Sequence, residues 1–534
     1  MSLHTQVLVV GAGPTGLTLA TLLRRQGIDC ILVEKNAGPS TTSKALGLQY
    51  RVSELLSWMG LVDRFIARAA PQTTVNLYAD GERIATLVLD ALEGRAGAGG
   101  FVPHPIILPQ SETEALLGEA LREAGGQVAW NRELVDFTSD ARGVVGTLSD
   151  AETITAAYAV GCEGAHSVLR KLSRISFDGK TFPHDFVMAD VAIDTTLSHG
   201  QGHSWLHPDG IVSAISMPGE GRWRLFIEAG AATKDLGDDV TLADVQRIFA
   251  ARTGDMHSCI SDPTWLTRFK IHSRMVERFS AGRVFLAGDA AHLHSPSGGQ
   301  GITTGMQDAY NLAWKLAQVL RHGAPATLLD TYDQERRPAA RAVLATTDRN
   351  TRIFFATGPV GKWLRNHVFM PLLATRWMQR RLVAKLSQLD MGYRSSSLSW
   401  SRRQRRVRAG DRTPDVVLQA GAEQVSLYAL LRPARFVALL TRAHAEAGAL
   451  LESAGVSVRV VAADGDFRRL YGASDGDLWL IRPDGYVGLC CAHDDLATVA
   501  AYLTQVAAPI LADTRHHAAT WIPTCLSQRD NSSL

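Results

Sequence analysis

The sequence predicts an α/β fold: a Rossmann-type nucleotide-binding domain interrupted by a mostly antiparallel β-sheet and followed by a further α/β unit. Three observations carry this. A strand, a glycine turn and a helix follow one another directly from residue 6, and a strand leading into a glycine-rich turn and a long helix returns at residue 282. Between them, residues 172–280 switch to alternating stretches such as GRWRLFIEAG with turn signals such as HPDG at 207–210.

Bulk composition narrows the function classes. At 534 residues, 46% hydrophobic and 20% charged, the chain can form several domains with a large core. A formal net charge of +2 gives no concentrated basic surface for nucleic acid. The dense basic stretch Arg402, Arg403, Arg405, Arg406 and Arg408 reads as a solvated linker face. The six cysteines, Cys30, Cys162, Cys259, Cys490, Cys491 and Cys525, show neither CxxC nor zinc-knuckle spacing, which disfavours bound metal and thiol–disulfide chemistry. No run approaches the ~20 apolar residues of a spanning helix, and no apolar leader precedes the first strand. The expectation is a cytoplasmic protein without stable membrane insertion.

The first element in order is the apolar, β-branched strand at 6–10, followed by GAGPTG and the helical LTLATLLRRQG. Such a turn lets backbone amides and the positive end of a helix meet a pyrophosphate. Gly11 permits the turn, Gly13 close approach of phosphate, and Gly16 close packing of helix on strand, with Pro14 and Thr15 between them. The next strand, at 30–33, ends in Glu34, followed by Lys35. A carboxylate there accepts hydrogen bonds from both ribose hydroxyls of an adenosine and disfavours a 2′-phosphate in this site. The pattern predicts a dinucleotide and leaves NAD against FAD open.

The middle of the chain contributes two more pieces. Gln110, in ILPQSETEALLGEALREAGG, either hydrogen-bonds the cofactor or caps its own helix. YAVGCEGAHSVLRK brings another strand into a glycine turn, with Arg170 facing a cosubstrate or closing a helix end. In GRVFLAGDAAHLHSPSGGQGITTGMQDAYNLAWKLAQVL, a buried strand delivers Gly288 and Asp289 at its carboxyl end, where open α/β sheets bind ligands. The glycines at 298, 299, 301 and 305 keep side chains away from a planar ring and present N–H groups to it. Asp289 suits a sugar-alcohol hydroxyl, which NAD lacks and the ribityl chain of FAD has, so the ligand is read as FAD, with a second phosphate loop as the alternative reading of this stretch.

These three motifs together resemble the FAD-dependent aromatic hydroxylases typified by para-hydroxybenzoate hydroxylase, and more closely the larger members that act on phenols, hydroxyphenyl propionates and aromatic polyketides. The resemblance implies that GAGPTG with Glu34 takes the ADP part of FAD and that GCEGAHSVLR serves FAD and a visiting NADPH or NADH. It gives Asp289 the ribityl chain and lays Pro296, Gly298, Gly299, Gly301, Ile302 and Thr303 beside the flavin. Lys44 falls where the family often has an arginine near the phosphates, and Gln110 matches a family glutamine. Two positions depart from the pattern: Glu163 stands for the usual aspartate, and Thr303 replaces an asparagine. WLIRPDGYVGL (479–489) is similar to the thioredoxin-like appendage of the larger members, here without CxxC. The implied organisation is FAD binding in 1–171 and 281–350, a substrate sheet in 172–280, a helical linker in 351–400 and a thioredoxin-like unit in 401–534 with a structural or dimer-stabilising role.

The activity this implies is NAD(P)H-consuming hydroxylation of a phenolic or polycyclic aromatic substrate by dioxygen, through a C4a-hydroperoxyflavin. Ketone- or quinone-oxygenating chemistry, a flavin dehydrogenase and a non-enzymatic FAD protein stand as alternatives. A phenolate attacks better than a phenol, so His207, Arg224 and His272 of the inserted sheet are the catalytic candidates. His292 and His294, which flank the flavin loop, are read as backbone-orienting groups, and Trp205, Trp223 and Phe226 as pocket aromatics or core.

Overall fold

A computed structural model describes residues 2–71, 74–89, 100–229, 240–296, 298–356, 358–432 and 434–507. The sequence-assigned C-terminal unit therefore extends, at 508–534, outside the described residues, and Cys525 with it.

The first sheet runs Ser280–Ala281, Val284–Leu286, Thr153–Gly161, Ser2–Val10, Cys30–Val33 and Val128–Ala129, with the hairpin Leu134–Ser139/Val144–Leu148 added beside Thr153–Gly161. Its central strands are parallel, and their C-terminal halves, such as VLVV at 7–10 and AVG at 159–161, are buried and mostly apolar. The register matters most for function. Val10 pairs with both Val33 and Gly161, and Gly161 pairs with Leu286. Four strands therefore end in one row, and the residues that follow, Gly11, Glu34, Cys162 and Ala287–Gly288, share one rim. The helices Pro14–Arg25 and Gly301–Arg321 leave that rim and pack against each other over the sheet.

The second sheet is antiparallel apart from one pairing and runs His292–Leu293, Cys259–Val276, Phe177–Asp194, Arg222–Glu228, Gly210–Ser216, Gln201–His207, Thr74–Ala79 and Glu82–Val88. It takes strands from outside 172–280: the hairpin at 74–88, through the parallel pairing of Thr74–Ala79 with Gln201–His207, and the short strand His292–Leu293. One face, with Val187, Val191, Trp205, Trp223, Leu225 and Ile227, buries the helix Leu242–Thr253 through Val245, Ile248 and Phe249. The other face gathers Phe186, Phe226, Phe269 and Leu206 under Phe355, Met370 and Leu373. Trp205 and Trp223 are thus core behind the sheet, whereas Phe226 lies on its front.

The helix Asp330–Phe354 runs through residue 350, so the helical stretch begins without a break and continues in Pro359–Leu364, Met370–Leu373 and Arg376–Leu386. The C-terminal unit is a sheet in the order Trp400–Ser401, Val487–Ala492, Asp477–Ile481, Val437–Leu440 and Ser457–Val460, with helices Ala445–Ser453, Gly465–Tyr471 and Leu496–Val506. The parallel pair Val437–Leu440/Ser457–Val460 beside two antiparallel strands is a thioredoxin-like arrangement. Cys490 and Cys491 are buried in it, and burial pushes both thiols up to about 12, leaving no thiolate at neutral pH.

Buried charges tie this unit to the nucleotide-binding domain. Arg482 donates to both oxygens of Glu335 (2.6 and 2.8 Å) and to Asp484, while Lys315 donates to Glu335 at 2.9 Å. A second knot joins Arg412 and Arg51 to Glu54, which also accepts from the Tyr428 hydroxyl. The basic stretch read as a solvated linker face is partly engaged too: Arg403 and Arg405 both pair at 2.6 Å with the buried Asp477. A buried carboxylate must be matched by cations, and these two are the nearest supply.

Candidate active site: a cofactor crevice facing an aromatic floor

The crevice begins at the rim of the first sheet. Gly11 has φ +99°, and a Cβ there would stand 2.7 Å from the Cys162 carbonyl and the Glu163 nitrogen. Gly16 is tighter still: a Cβ would meet the Gly11 oxygen at 1.9 Å. Gly13 faces open space, with nothing within 4 Å of a Cβ position. The helix Pro14–Arg25 starts there with no side-chain cap and no acidic residue in its first turn, so its positive end is free for an anion. Glu34 is set beside it: one oxygen accepts from Ala12 N at 2.9 Å, the other from Asn36 N and Nδ2 at 3.1 and 2.7 Å. Each carboxylate oxygen has two lone pairs. Lys35 and Lys44 are exposed at the rim.

The flavin-side motif interlocks with this turn. The Thr15 side chain occupies the slot left by two missing side chains, since a Cβ on Gly288 or Gly305 would approach its Oγ1 to 2.5 or 2.3 Å. Gly288 (φ +61°) makes the turn immediately before Asp289. Asp289 is solvent-accessible yet surrounded by protein, and makes no side-chain hydrogen bond among the described residues. That surrounding mass pushes its carboxyl pKa up, offset in part by His292 and Lys44.

Beneath it lies a network that sequence reasoning missed. Asp308, fully buried on the helix Gly301–Arg321, accepts from Gly288 N at 2.9 Å and from Arg336 Nε at 2.6 Å. Its Oδ2 also lies 2.6 Å from His292 Nε2. Arg336 goes on to Thr304 O and the Tyr393 hydroxyl. His292 therefore orients the loop, as expected, through Asp308. The His294 ring lies 4.7 Å from that of His292 with neither nitrogen partnered among the described residues, and burial holds its pKa well below the ordinary value.

The glycine loop is clamped from one side by Gln49. Its Nε2 donates to Gly298 O at 2.6 Å, and its backbone N–H donates to Thr303 Oγ1 at 3.0 Å. The Thr303 hydroxyl is thus engaged with the chain, and what it leaves for the crevice is backbone. Pro296 is exposed and Ile302 half-buried at the edge of the loop. Gly301, with nothing within 4 Å of a Cβ position, opens a helix that also lacks a side-chain cap and first-turn acid. The crevice fits FAD on its own chemistry: two uncapped helix starts for the diphosphate and the electron-rich ring edge, a ribose-type carboxylate at Glu34, and at Asp289 a carboxylate with no side-chain partner among the described residues.

Other sequence-derived positions turn out to be braces. Gln110 accepts from Ala45 N at 3.3 Å and donates to Glu114 at 2.8 Å, fastening the loop that carries Lys44. Glu163 accepts from Ser167 Oγ and Leu169 N, so its longer side chain caps the following short helix. Arg170 donates to Ala290 O and Ala165 O and lies over Phe177, which joins the second and third motifs.

The three catalytic candidates are not brought together. Arg224 is buried on the front of the second sheet, paired with both oxygens of Asp190 at 2.6 and 2.7 Å, and donates to the carbonyls of Ser43 and Lys44. It acts as a strut between the sheet and the Lys44 loop. Arg224 pairs in register with Ile215, and Ile215 with Gly202, so His207 lies five positions, ~17 Å, along the strand. There it closes a hairpin by accepting from Asp209 N at 3.1 Å, and burial followed by Arg252 lowers its pKa. His272 lies seven positions from Trp265, the residue opposite Asp190, and contacts Thr181 Oγ1 at 2.9 Å. It is mostly exposed, and its partial burial, with Arg274, His166 and Lys270 nearby, lowers its pKa. Beside the Arg224–Asp190 pair opens a cavity of about 380 Å³, lined among others by Ser43, Ser111, Asp190, Met217 and Trp265.

Comparison with known proteins bears on the whole chain. Residues 4–347 match the family model of an FAD binding domain, and residues 406–511 that of an aromatic-ring hydroxylase C-terminal domain. The chain is 36% identical over 518 residues to a flavin-dependent monooxygenase of Mycobacteroides abscessus, covering 94% of this chain and 99% of that protein. It is 33% identical over 538 residues to the 6-methylpretetramide 4-monooxygenase of Streptomyces rimosus, covering 93% of each. The solved structure of anhydrotetracycline hydroxylase from Streptomyces rimosus matches with a TM-score of 0.78 at 30% identity, over 95% of this chain and all of that one. These likenesses take in both the nucleotide crevice and the C-terminal unit, and the chain belongs to the family of FAD-dependent aromatic hydroxylases.

Proposed function

We propose that this protein is an FAD-dependent, NAD(P)H-consuming monooxygenase that places one atom of dioxygen on a phenolic or polycyclic aromatic ring. The observation that carries the reading is the aromatic front of the second sheet, hung from the flavin loop by the pairing of Arg274 and Met275 with Leu293 and His292. On that face Phe186, Phe226 and Phe355 form a cluster with centroids 4.9 to 6.4 Å apart. Phe355, Met370 and Leu373 close this cluster, so in this reading the flat, electron-rich polycycle lies beside it, in the cavity of about 380 Å³ lined by Asp190, Met217 and Trp265.

In this reading Glu34 accepts the adenosine ribose hydroxyls and Asp289 a ribityl hydroxyl. The amides opening the helices Pro14–Arg25 and Gly301–Arg321 meet the diphosphate and the electron-rich edge of the ring. Lys44 offsets phosphate charge. The bound flavin, once reduced by a nicotinamide, supplies the activation of dioxygen. Arg224 holds the sheet to the Lys44 loop, so that substrate and cofactor keep one distance. The substrate is a small aromatic compound, and the protein works in the cytoplasm. The relatives named for tetracycline precursors favour a polycyclic phenol over a single ring.

The test uses purified holoprotein with NADH or NADPH, a panel of polycyclic phenols and ¹⁸O-labelled dioxygen. One labelled oxygen per hydroxylated product is expected. Label entering only from water, or full substrate oxidation by an artificial acceptor without dioxygen, would refute the reading.

A further inference from the structure

The helical stretch over the aromatic floor has two faces. Its inner side, Met370 and Leu373, packs with Phe355 against the front of the second sheet. Its outer side carries Val360, Trp363, Leu364, Val368 and Leu372, which are 46% to 70% exposed. Three- and four-residue spacing puts these side chains on one stripe. Trp377, 56% exposed at the start of Arg376–Leu386, extends it. A soluble protein rarely leaves a contiguous apolar stripe uncovered unless it is a contact surface.

Charge says what covers it. From 349 to 389 the sequence has eight lysines and arginines and no aspartate or glutamate, in a chain whose formal net charge is only +2; of the eight, Arg365 is buried and Lys385 pairs with Asp390, which leaves the others to the surface. Among the exposed cations, Arg376 and Arg380 have no acidic partner among the described residues, and Arg381 lies 4.1 Å over the Trp377 ring. A second copy placed on the same patch would set these cations against themselves, because a two-fold contact is self-facing. An anionic bilayer answers both halves of the surface: its headgroups attract arginine and lysine, and its interface takes tryptophan and aliphatic side chains.

We propose that this face docks the protein on an anionic phospholipid surface. The stripe lies in the headgroup layer, and no helix among the described residues is long and apolar enough to cross a membrane. Docking there puts the roof of the aromatic floor against the lipid, which dissolves flat apolar compounds.

The test is sedimentation of the full-length holoprotein with vesicles of phosphatidylcholine alone or mixed in equal parts with phosphatidylglycerol. Binding to the mixed vesicles only, weakened by salt, is expected. Trp363→Ser with Trp377→Ser, and separately Arg376→Gln with Arg380→Gln and Arg381→Gln, should each cut the bound fraction by about tenfold or more. Both sets lie on the surface, and unchanged flavin absorbance reports that the fold is kept. Absence of binding to mixed vesicles, equal binding to both, or undiminished binding by the variants overturns the proposal. So does a dimer that dissociates in the tryptophan variant while vesicles bind neither protein, which would give the stripe to a second copy.

Discussion

Replacing Asp308 by asparagine preserves volume and removes charge from the centre of the flavin-loop network. The native carboxylate receives Gly288 N and Arg336 Nε, and contacts His292 Nε2, all within 2.9 Å. Burial pushes its pKa up, but Arg336 and His292 pull it further down, so it is ionised throughout the neutral range. An asparagine offers one acceptor and one donor. With its oxygen toward Gly288, its amide faces the Arg336 N–H; flipped, it faces the Gly288 N–H. Either way a buried donor opposes a donor, and the fully buried guanidinium of Arg336 loses its carboxylate. Stranding one member of such a pair costs about 3–5 kcal/mol. The Gly288 bond holds the turn that leads into Asp289, so much of that cost should fall on cofactor binding. If about 3 kcal/mol does, the Kd for FAD rises roughly 100-fold, since 1.4 kcal/mol is a factor of ten. Fluorescence titration of apoprotein with FAD measures this directly, with urea unfolding of the apoprotein run alongside. A variant that binds FAD within about twofold of the parent would refute the argument that Asp308 sets the loop.

Four further outcomes are expected. Gly11→Ala forces a Cβ to 2.7 Å from the Cys162 carbonyl at φ +99°, and the protein should elute from gel filtration colourless. Arg224→Met leaves Asp190 buried without its cation, and should lower stability by about 3–5 kcal/mol while slackening the Lys44 loop; thermal unfolding and steady-state turnover check the two effects. The raised pKa of Asp289 means the folded apoprotein keeps a proton that the unfolded chain loses, so stability falls as pH rises above the ordinary carboxylate range; Asp289→Asn should abolish that slope in urea titrations while weakening FAD binding. At Glu335 burial raises the pKa, but Arg482 and Lys315 pull it below the carboxylate range. Its stabilisation is therefore present at neutral pH and lost only in strong acid, and Glu335→Gln should shift the acid-unfolding midpoint to higher pH by circular dichroism.

What could be read from the sequence, and what could not, divides by the range of the cause. Gly11 and Gly16 were legible because a missing Cβ at a strand-to-helix turn is a local requirement, and the structure gives each a contact that a side chain would break. The placing of Glu34 and Asp289 just past strand ends was legible because each follows an apolar β-branched run, and the register brings those ends into one row. Strand periodicity also held a conclusion that was left open: Trp223 and Phe226, three apart on one strand, must point to opposite faces, so one pocket wall cannot contain both. Which face is covered depends on the helix Leu242–Thr253, a tertiary fact. The Gln49–Thr303 bond spans 254 positions, and the Arg51–Asp484 bond 433. Asp308 looks like any polar position in a helix until Arg336 arrives from the next one. The same limit applies to Arg224: residue type offered a cation near substrate or a satisfied structural side chain, and only the fold supplied its partners, Asp190 and the carbonyls of Ser43 and Lys44. A buried charge gets its role from its partner, and a partner brought by tertiary folding leaves no periodicity for the sequence to show.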